Sequence, residues 1–93
     1  MPDYKTHTIR QAPNSSITYV QALGVGFIGY VCEFKRGRYR AALFKKPTKT
    51  LDTAQKYYET THWMPLNYRW DRLNVAIFAL KNQYENSIKA ASE

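Results

Sequence analysis

The 93-residue chain has little of the chemistry that metal sites and redox enzymes need. It contains one cysteine, Cys32, and two histidines, His7 and His62, which lie far apart. Metal sites take three or four ligands at suitable spacing, so the sequence predicts no metal and no other cofactor. A single cysteine forms no internal disulfide, which favours a cytoplasmic location, or the host cytoplasm if the protein is phage-encoded.

Long apolar runs are also lacking. The longest, from Ala22 to Cys32, is broken by three glycines. It is too short for a membrane span, which takes about 20 apolar residues. The first five residues have no apolar core of the kind found in signal peptides. We therefore expect no membrane partner.

Acidic residues are few: 7 stand against 14 lysines and arginines, and the net charge is +7. No two acids pair convincingly for general acid–base catalysis. Asp52 is expected to cap a helix, and Glu59, Asp71 and Glu85 are spread over helix surfaces. Cys32 falls at an inward position of a predicted strand, where we expect a core role. The sequence predicts a non-enzymatic protein with an anionic partner.

The most informative feature that is present is a basic segment, residues 35–49, which contains no acid. It holds 7 of the 14 basic residues, here called the basic cluster: Lys35, Arg36, Arg38, Arg40, Lys45, Lys46 and Lys49. Such a run with interleaved aromatic residues is typical of a nucleic-acid-binding surface. It is equally typical of a solvated strand edge that blocks aggregation.

Residue patterns predict an α+β domain over residues 17–93, preceded by an N-terminal arm or edge strand over residues 1–16. Segments rich in β-branched and aromatic residues predict strands at 17–23, 27–34, 39–44 and, more briefly, 48–51. Two helices follow, the first capped by Asp52 with Gln55 three residues later. The second runs from residue 67 or 68 to between 87 and 90. The expected fold is a small antiparallel sheet of three or four strands packed against two C-terminal helices.

A hairpin turn at Arg36-Gly37 sets an expected register. It places one apolar set on the inner side of the sheet: Ile28, Tyr30, Cys32, Phe34, Tyr39, Ala41 and Leu43. The outer side then carries Arg38, Arg40 and Phe44, with Glu33 opposite Arg40. Helices would cover the inner side and leave the outer side free.

That outer side has a workable binding mechanism. Arg38 and Arg40 are expected to contact bases or phosphates, because a two-stranded ribbon fits the major groove of DNA. Outward Phe44 would stack on a base or sugar. The predicted nucleic-acid-binding set is Lys35, Arg36, Arg38, Arg40, Phe44, Lys45, Lys46 and Lys49, with the last three lysines clamping the backbone.

Three glycines, Gly24, Gly26 and Gly29, match a dinucleotide-binding fingerprint in spacing. That fingerprint requires a helix directly after it, whereas the sequence predicts a strand here. We therefore expect these glycines to permit a bulge or close backbone packing.

Three short motifs lie in residues 29–58: G-Y-V at 29–31, G-R-Y-R-A-A-L at 37–43 and L-D-T-A-Q-K-Y-Y at 51–58. In these motifs the chain resembles AP2-type DNA-binding domains and the related arm-binding domains of phage integrases. Those domains have three antiparallel strands and a helix, and their sheet lies in the DNA major groove. The resemblance implies that Arg38 and Arg40 occupy DNA-facing positions.

The first hypothesis is thus a small nucleic-acid-binding protein of phage or mobile-element origin, with DNA favoured over RNA. The alternative is a phage-encoded inhibitor or modulator that binds a host protein complex, such as nuclease, recombination or defence machinery. Its interface would comprise Val75 and Phe78, which fall off the apolar stripe of the second helix, together with Trp63 and Met64 in an apolar loop that ends at Leu66.

Overall fold

The computed structural model describes residues 3–12, 15–59, 63–70 and 72–92, with side chains described over 3–10, 15–56 and 72–90. The elements are β1 (Tyr4–Ala12), β2 (Ser15–Ala22), β3 (Gly26–Lys35), β4 (Arg38–Thr48), α1 (Leu51–Glu59), β5 (Trp63–Trp70) and α2 (Leu73–Ser92). The expected α+β class, with an antiparallel sheet and two helices, is confirmed.

All the strands belong to one antiparallel sheet, in the order β1-β2-β3-β4-β5. The order follows the chain, so each strand pairs with the strand that precedes it. The N-terminal segment takes the edge-strand alternative, because β1 pairs with β2 along most of its length.

The last strand, β5, occupies a segment that the sequence patterns assigned to a loop and to the start of the second helix. The helix begins at Leu73 instead. Pro65 lies within β5 and pairs with Ala42 of β4. Proline is tolerated there because an edge strand has one row of backbone groups that the ladder does not use.

The helices lie on opposite faces of the sheet, here called the α1 face and the α2 face. The α2-face core contains Val20, Ala22, Ile28, Val31, Ala41, Leu43, Ala76, Leu80 and Tyr84. The α1-face core contains Ile17, Tyr19, Phe27, Tyr30, Ala42, Phe44 and Ala54. The expectation that both helices cover one side and leave the other free is therefore wrong.

The β3–β4 turn forms at Arg36-Gly37 as expected, and Gly37 has the positive φ of 72° that such a turn needs. The register beyond it is wrong by one residue. Lys35 pairs with Arg38, but the next pair is Glu33 with Tyr39, because a bulge at Phe34 inserts one residue into β3.

Because of this one-residue shift, the side chains of β3 lie on the opposite side of the sheet from the one expected relative to β4. Cys32 now pairs with Arg40 and Tyr30 with Ala42, so these residues lie on the α1 face. Tyr39, Ala41 and Leu43 lie on the α2 face. Because both faces carry a core, neither strand needs a single apolar side.

The first helix also starts slightly earlier than expected. Thr50, rather than Asp52, is the N-cap, because its Oγ1 accepts a hydrogen bond from the N–H of Thr53 at 3.2 Å. Asp52 lies in the first turn of α1, where its negative charge is favourable near the helix dipole.

Glycine at position 29 allows the sheet and α2 to approach closely. A Cβ on Gly29 would overlap the carbonyl oxygen of Ala42 and would lie 3.1 Å from Leu80 Cδ1. A Cβ on Gly26, which has a φ of +132°, would likewise overlap the carbonyl oxygen of Thr48. The predicted close packing is confirmed for Gly26 and Gly29 but not for Gly24, which has nothing within 4 Å, and a strand rather than a helix follows these glycines.

Candidate nucleic-acid interface

The two helices differ in length and therefore in how much of the sheet each can cover. Helix α2 has 20 residues and α1 has 9. At a rise of about 1.5 Å per residue these helices extend roughly 30 Å and 14 Å, against about 34 Å for β3. Helix α2 is therefore nearly as long as β3, whereas α1 is less than half its length.

Burial on the α1 face of β3 decreases toward the turn. Phe27 and Tyr30 are buried, Cys32 is half-buried, and Phe34 is 39% exposed. On β4, Phe44 is buried whereas Arg40 and Arg38 are exposed. The exposed end of this face, with the turn itself, is here called the hairpin tip: Phe34, Lys35, Arg36, Arg38 and Arg40.

Side chains at the hairpin tip are partly organised. The Cζ atom of Arg40 lies 4.4 Å from the centroid of the Phe34 ring, which is a cation–π distance. Arg38 lies on the same face as Arg40, because side chains of a strand alternate with period two. Lys35 and Arg36 are exposed beside the turn.

The nearby carboxylate of Glu33 is used by the turn. Its Oε2 accepts a hydrogen bond from the N–H of Gly37 at 3.3 Å. Burial and the adjacent Glu33 charge together raise the pKa of Tyr39. Glu33 lies opposite Tyr39 rather than Arg40, so the expected contact between Glu33 and Arg40 is wrong. None of the basic cluster forms an ion pair within the described residues.

The other three members of the basic cluster lie at the opposite end of β4. Lys45 is roughly 24 Å from Arg38, at about 3.4 Å per residue. Between the Leu43–Gly29 and Thr48–Phe27 pairs, β4 advances five residues and β3 only two. Lys45 and Lys46 lie in this bulge, Lys49 follows it, and all three are exposed.

The basic cluster therefore forms two groups rather than one continuous surface. The expectation that its side chains are displayed together is wrong, although every member is exposed as expected. The reason is the length of β4, which has 11 residues and carries the two groups at its two ends.

The two phenylalanines of the hairpin exchange their expected roles. Phe44 is only 4% exposed and its ring lies 6.0 Å from that of Tyr30, so the prediction that it stacks on a base is wrong. Phe34, expected in the core, is exposed beside Arg40. The bulge accounts for the facing of Phe34, whereas Phe44 is buried because α1 packs on its face of the sheet.

The candidate protein-interface residues Val75 and Phe78 are exposed on the outer side of α2, Phe78 by 63%. A cavity of about 330 Å³ lies beside Phe78, between α2 and β1. The backbone of Trp63 and Met64 belongs to β5, and their side chains lie outside the described residues. His62, Asp71 and the Glu59 side chain also fall outside that part.

Cys32, the one cysteine of the chain, is half-buried. Burial raises the pKa of the Cys32 thiol, and the nearby Arg40 charge only partly opposes that shift. The described side chains include no cluster of three or more metal-ligating residues. Neither described helix is long and apolar enough to cross a membrane.

No family model, no curated protein and no solved structure matches this chain. The resemblance to AP2-type domains implied a sheet with one face lying in the DNA major groove. In this fold, however, Arg38 and Arg40 lie on the α1 face, and α2 covers the opposite face. A whole sheet face is therefore not open for binding in a DNA groove.

Proposed function

We propose that this chain is a small, non-catalytic nucleic-acid-binding protein whose basic cluster contacts the phosphate backbone, with DNA as the preferred partner. The observation that carries the proposal is uncompensated charge. Seven exposed basic side chains lie on the β3–β4 hairpin and its exit, and none is paired with a carboxylate in the described part of the chain. Basic side chains that neutralise phosphates release counterions, which provides the affinity.

The two groups of the basic cluster define how the backbone would lie. The hairpin tip and the Lys45–Lys49 group are joined by β4, and a phosphate backbone running along this strand meets both. Their separation of roughly 24 Å is about two thirds of a 34 Å turn of B-DNA. Contact through the hairpin and β4 replaces the expected contact through an open sheet face.

A salt titration of DNA affinity tests the proposal. Each phosphate contact contributes about −0.9 to the slope of log K against log salt on duplex, so seven contacts give about −6. Arg38→Ala with Arg40→Ala is expected to reduce the steepness by about 2, and Lys45→Ala with Lys46→Ala by a similar amount.

The matched control is the double variant Lys5→Ala with Arg10→Ala. It removes the same formal charge from exposed positions of β1, which β2 separates from the hairpin in the sheet. We expect a smaller loss of affinity from this control than from either hairpin variant. A flat salt response, or wild-type affinity in the Arg38 and Arg40 double variant, would contradict the proposal.

A second candidate function is binding to a host protein complex, such as a nuclease or a recombination or defence assembly. The observation that favours it is Phe78, the most exposed large apolar side chain among the described residues. Exposed aromatic residues are typical anchors of protein interfaces. A partner purified from host lysate after nuclease treatment, and lost in Phe78→Asp, would support this function. Recovery only with nucleic acid would count against it.

A further inference from the structure

The hairpin tip contains an aromatic side chain, Phe34, that is partly exposed to solvent. On the α1 face of β3, the outermost residue packed against the core is Cys32, and Phe34 lies beyond it toward the turn. Phe34 is 39% exposed, and Arg40 lies over its ring. A partly exposed phenylalanine therefore lies among four exposed basic residues.

We propose that the hairpin tip binds an unpaired nucleotide, whose base stacks on the Phe34–Arg40 pair while Lys35, Arg36 and Arg38 hold the adjacent phosphates. This inference rests on the proposed function and specifies its ligand as single-stranded nucleic acid. The Phe34–Arg40 pair, rather than Phe44, supplies the stacking surface.

Stacking explains why this ring and this guanidinium lie together. A base has an aromatic face, and single-stranded nucleic acids bind by stacking on aromatic rings and on arginine planes. In a duplex the bases already stack on one another, so a side chain reaches only their edges. An exposed ring in a basic environment therefore favours unpaired bases.

The charge distribution around the ring supports the same ligand. Glu33, the carboxylate closest in sequence, lies on the α2 face and bonds to the turn. Among the described residues, no carboxylate forms an ion pair with the cations at the tip, so these cations can act on an approaching phosphate. Because Phe34 and Arg38 lie on one face, a base and its phosphate can be bound together.

The experiment measures binding of labelled oligo-dT, oligo-U and a duplex, each of about 12 nucleotides or base pairs, a length within known single-strand site sizes. Phe34→Leu keeps apolar volume but removes the ring. We expect it to weaken single-strand binding about 5-fold to 100-fold, with little change on duplex and an unchanged salt slope. Comparing the deoxy and ribo oligomers identifies which single strand is preferred.

Phe78→Leu is the matched control, because it makes the same change at an exposed position on α2. It is expected to leave both affinities within about 2-fold. Phe34→Trp, which enlarges the stacking surface, should match or exceed wild type. Arg40→Lys keeps the charge but loses the planar group, so single-strand affinity should fall while the salt slope stays unchanged.

The outcomes separate this inference from the proposed function. Salt-dependent binding that is lost in the Arg38 and Arg40 double variant, but unaffected by Phe34→Leu, would overturn stacking and leave the proposed function standing. A preference for duplex would also overturn it. No binding to any of the oligonucleotides would overturn both. If circular dichroism shows that Phe34→Leu does not fold, wild-type single-strand affinity in Arg40→Lys overturns the inference.

Discussion

The two faces of the sheet differ in how far their helices extend. Helix α2 has 20 residues, and the core beneath it includes Tyr39, close to the turn of the β3–β4 hairpin. Helix α1 has 9 residues, and on β3 the core beneath it ends at Cys32. The comparison teaches that the two cores extend to different distances along the same hairpin.

The same comparison can be made between two identical residue types. Phe44 and Phe34 lie on the α1 face of neighbouring strands, yet one is 4% and the other 39% exposed. The sequence pattern assigned Phe34 to the core and Phe44 to the outer side. The bulge at Phe34 instead puts its ring on the face of Arg40, and Phe44 on that same face is buried in the α1-face core.

The largest expected effect is a difference in stability between variants at a buried position, Leu80, and at a partly exposed position, Phe34. Leu80→Ala on α2 should reduce the free energy of unfolding by about 3 kcal/mol, because Leu80 is fully buried and leaves a cavity. Phe34→Ala should cost about 1 kcal/mol or less, mainly the lost contact with Arg40. Urea denaturation of both variants measures the difference. Equal costs would mean that the hairpin tip is part of the core.

A smaller loss of stability is expected when a methyl group is added between the sheet and α2. Gly29→Ala should destabilise by about 2 kcal/mol, because the new methyl group meets the Ala42 carbonyl and Leu80. Gly24→Ala is the matched control in a turn with no atom within 4 Å, although its φ of +83° is unfavourable for alanine. Its cost should stay near 1 kcal/mol. Thermal melting compares the two, and the reverse order would contradict the tight packing of α2.

The smallest effect is on the pH dependence of stability and arises from Tyr4 on the α2 face. Burial, together with the charge of Glu85, raises the pKa of Tyr4 to about 12. The fold therefore favours the neutral phenol. That stabilisation is complete below about pH 10, which is the ordinary pKa of tyrosine, and it is lost as the pH rises through the raised pKa of about 12. Tyr4→Phe removes this titration, so the free energy of unfolding should fall less steeply between pH 10 and 12 than in the wild type.

At neutral pH the same variant tests the Tyr4 hydroxyl. It is buried and has no hydrogen-bond partner among the described residues. Tyr4→Phe should leave the free energy of unfolding unchanged or raise it by up to about 1 kcal/mol. A loss of more than 1 kcal/mol would indicate that the hydroxyl pairs with a polar group in solution.

Much of the fold could be predicted from the sequence, because turn residues and β-branched segments are recognisable locally. The β3–β4 turn was found at Gly37, since glycine there permits a positive φ. The β-branched segments became β2 and β3. The register could not be found, because the bulge at Phe34 depends on how two sheet faces pack and has no residue signature of its own.

The fifth strand shows a second limit. Pro65 favoured a loop at this position, and only the edge placement of β5 makes proline acceptable in a strand. Whether a strand is at an edge is a property of the whole sheet. The opposite placement of the two helices is another such property, since each apolar stripe shows that a helix packs but not on which face.

The candidate site was predicted in part. Charge predicts exposure, and all seven members of the basic cluster are exposed. Their division into two groups depends on β4 running unbroken from Arg38 to Thr48, through Pro47. The exposure of Phe34 was not predicted, because the expected register placed its side chain on the inner side of the sheet.

The strand order has a consequence for how the chain reaches this structure. Each ladder joins segments that are adjacent in sequence, and only α1 intervenes between the last two strands. Folding rates fall as the mean sequence separation of contacts grows, because closing long loops costs entropy. The sheet can therefore assemble by successive zippering of short hairpins, without waiting for the chain termini to meet.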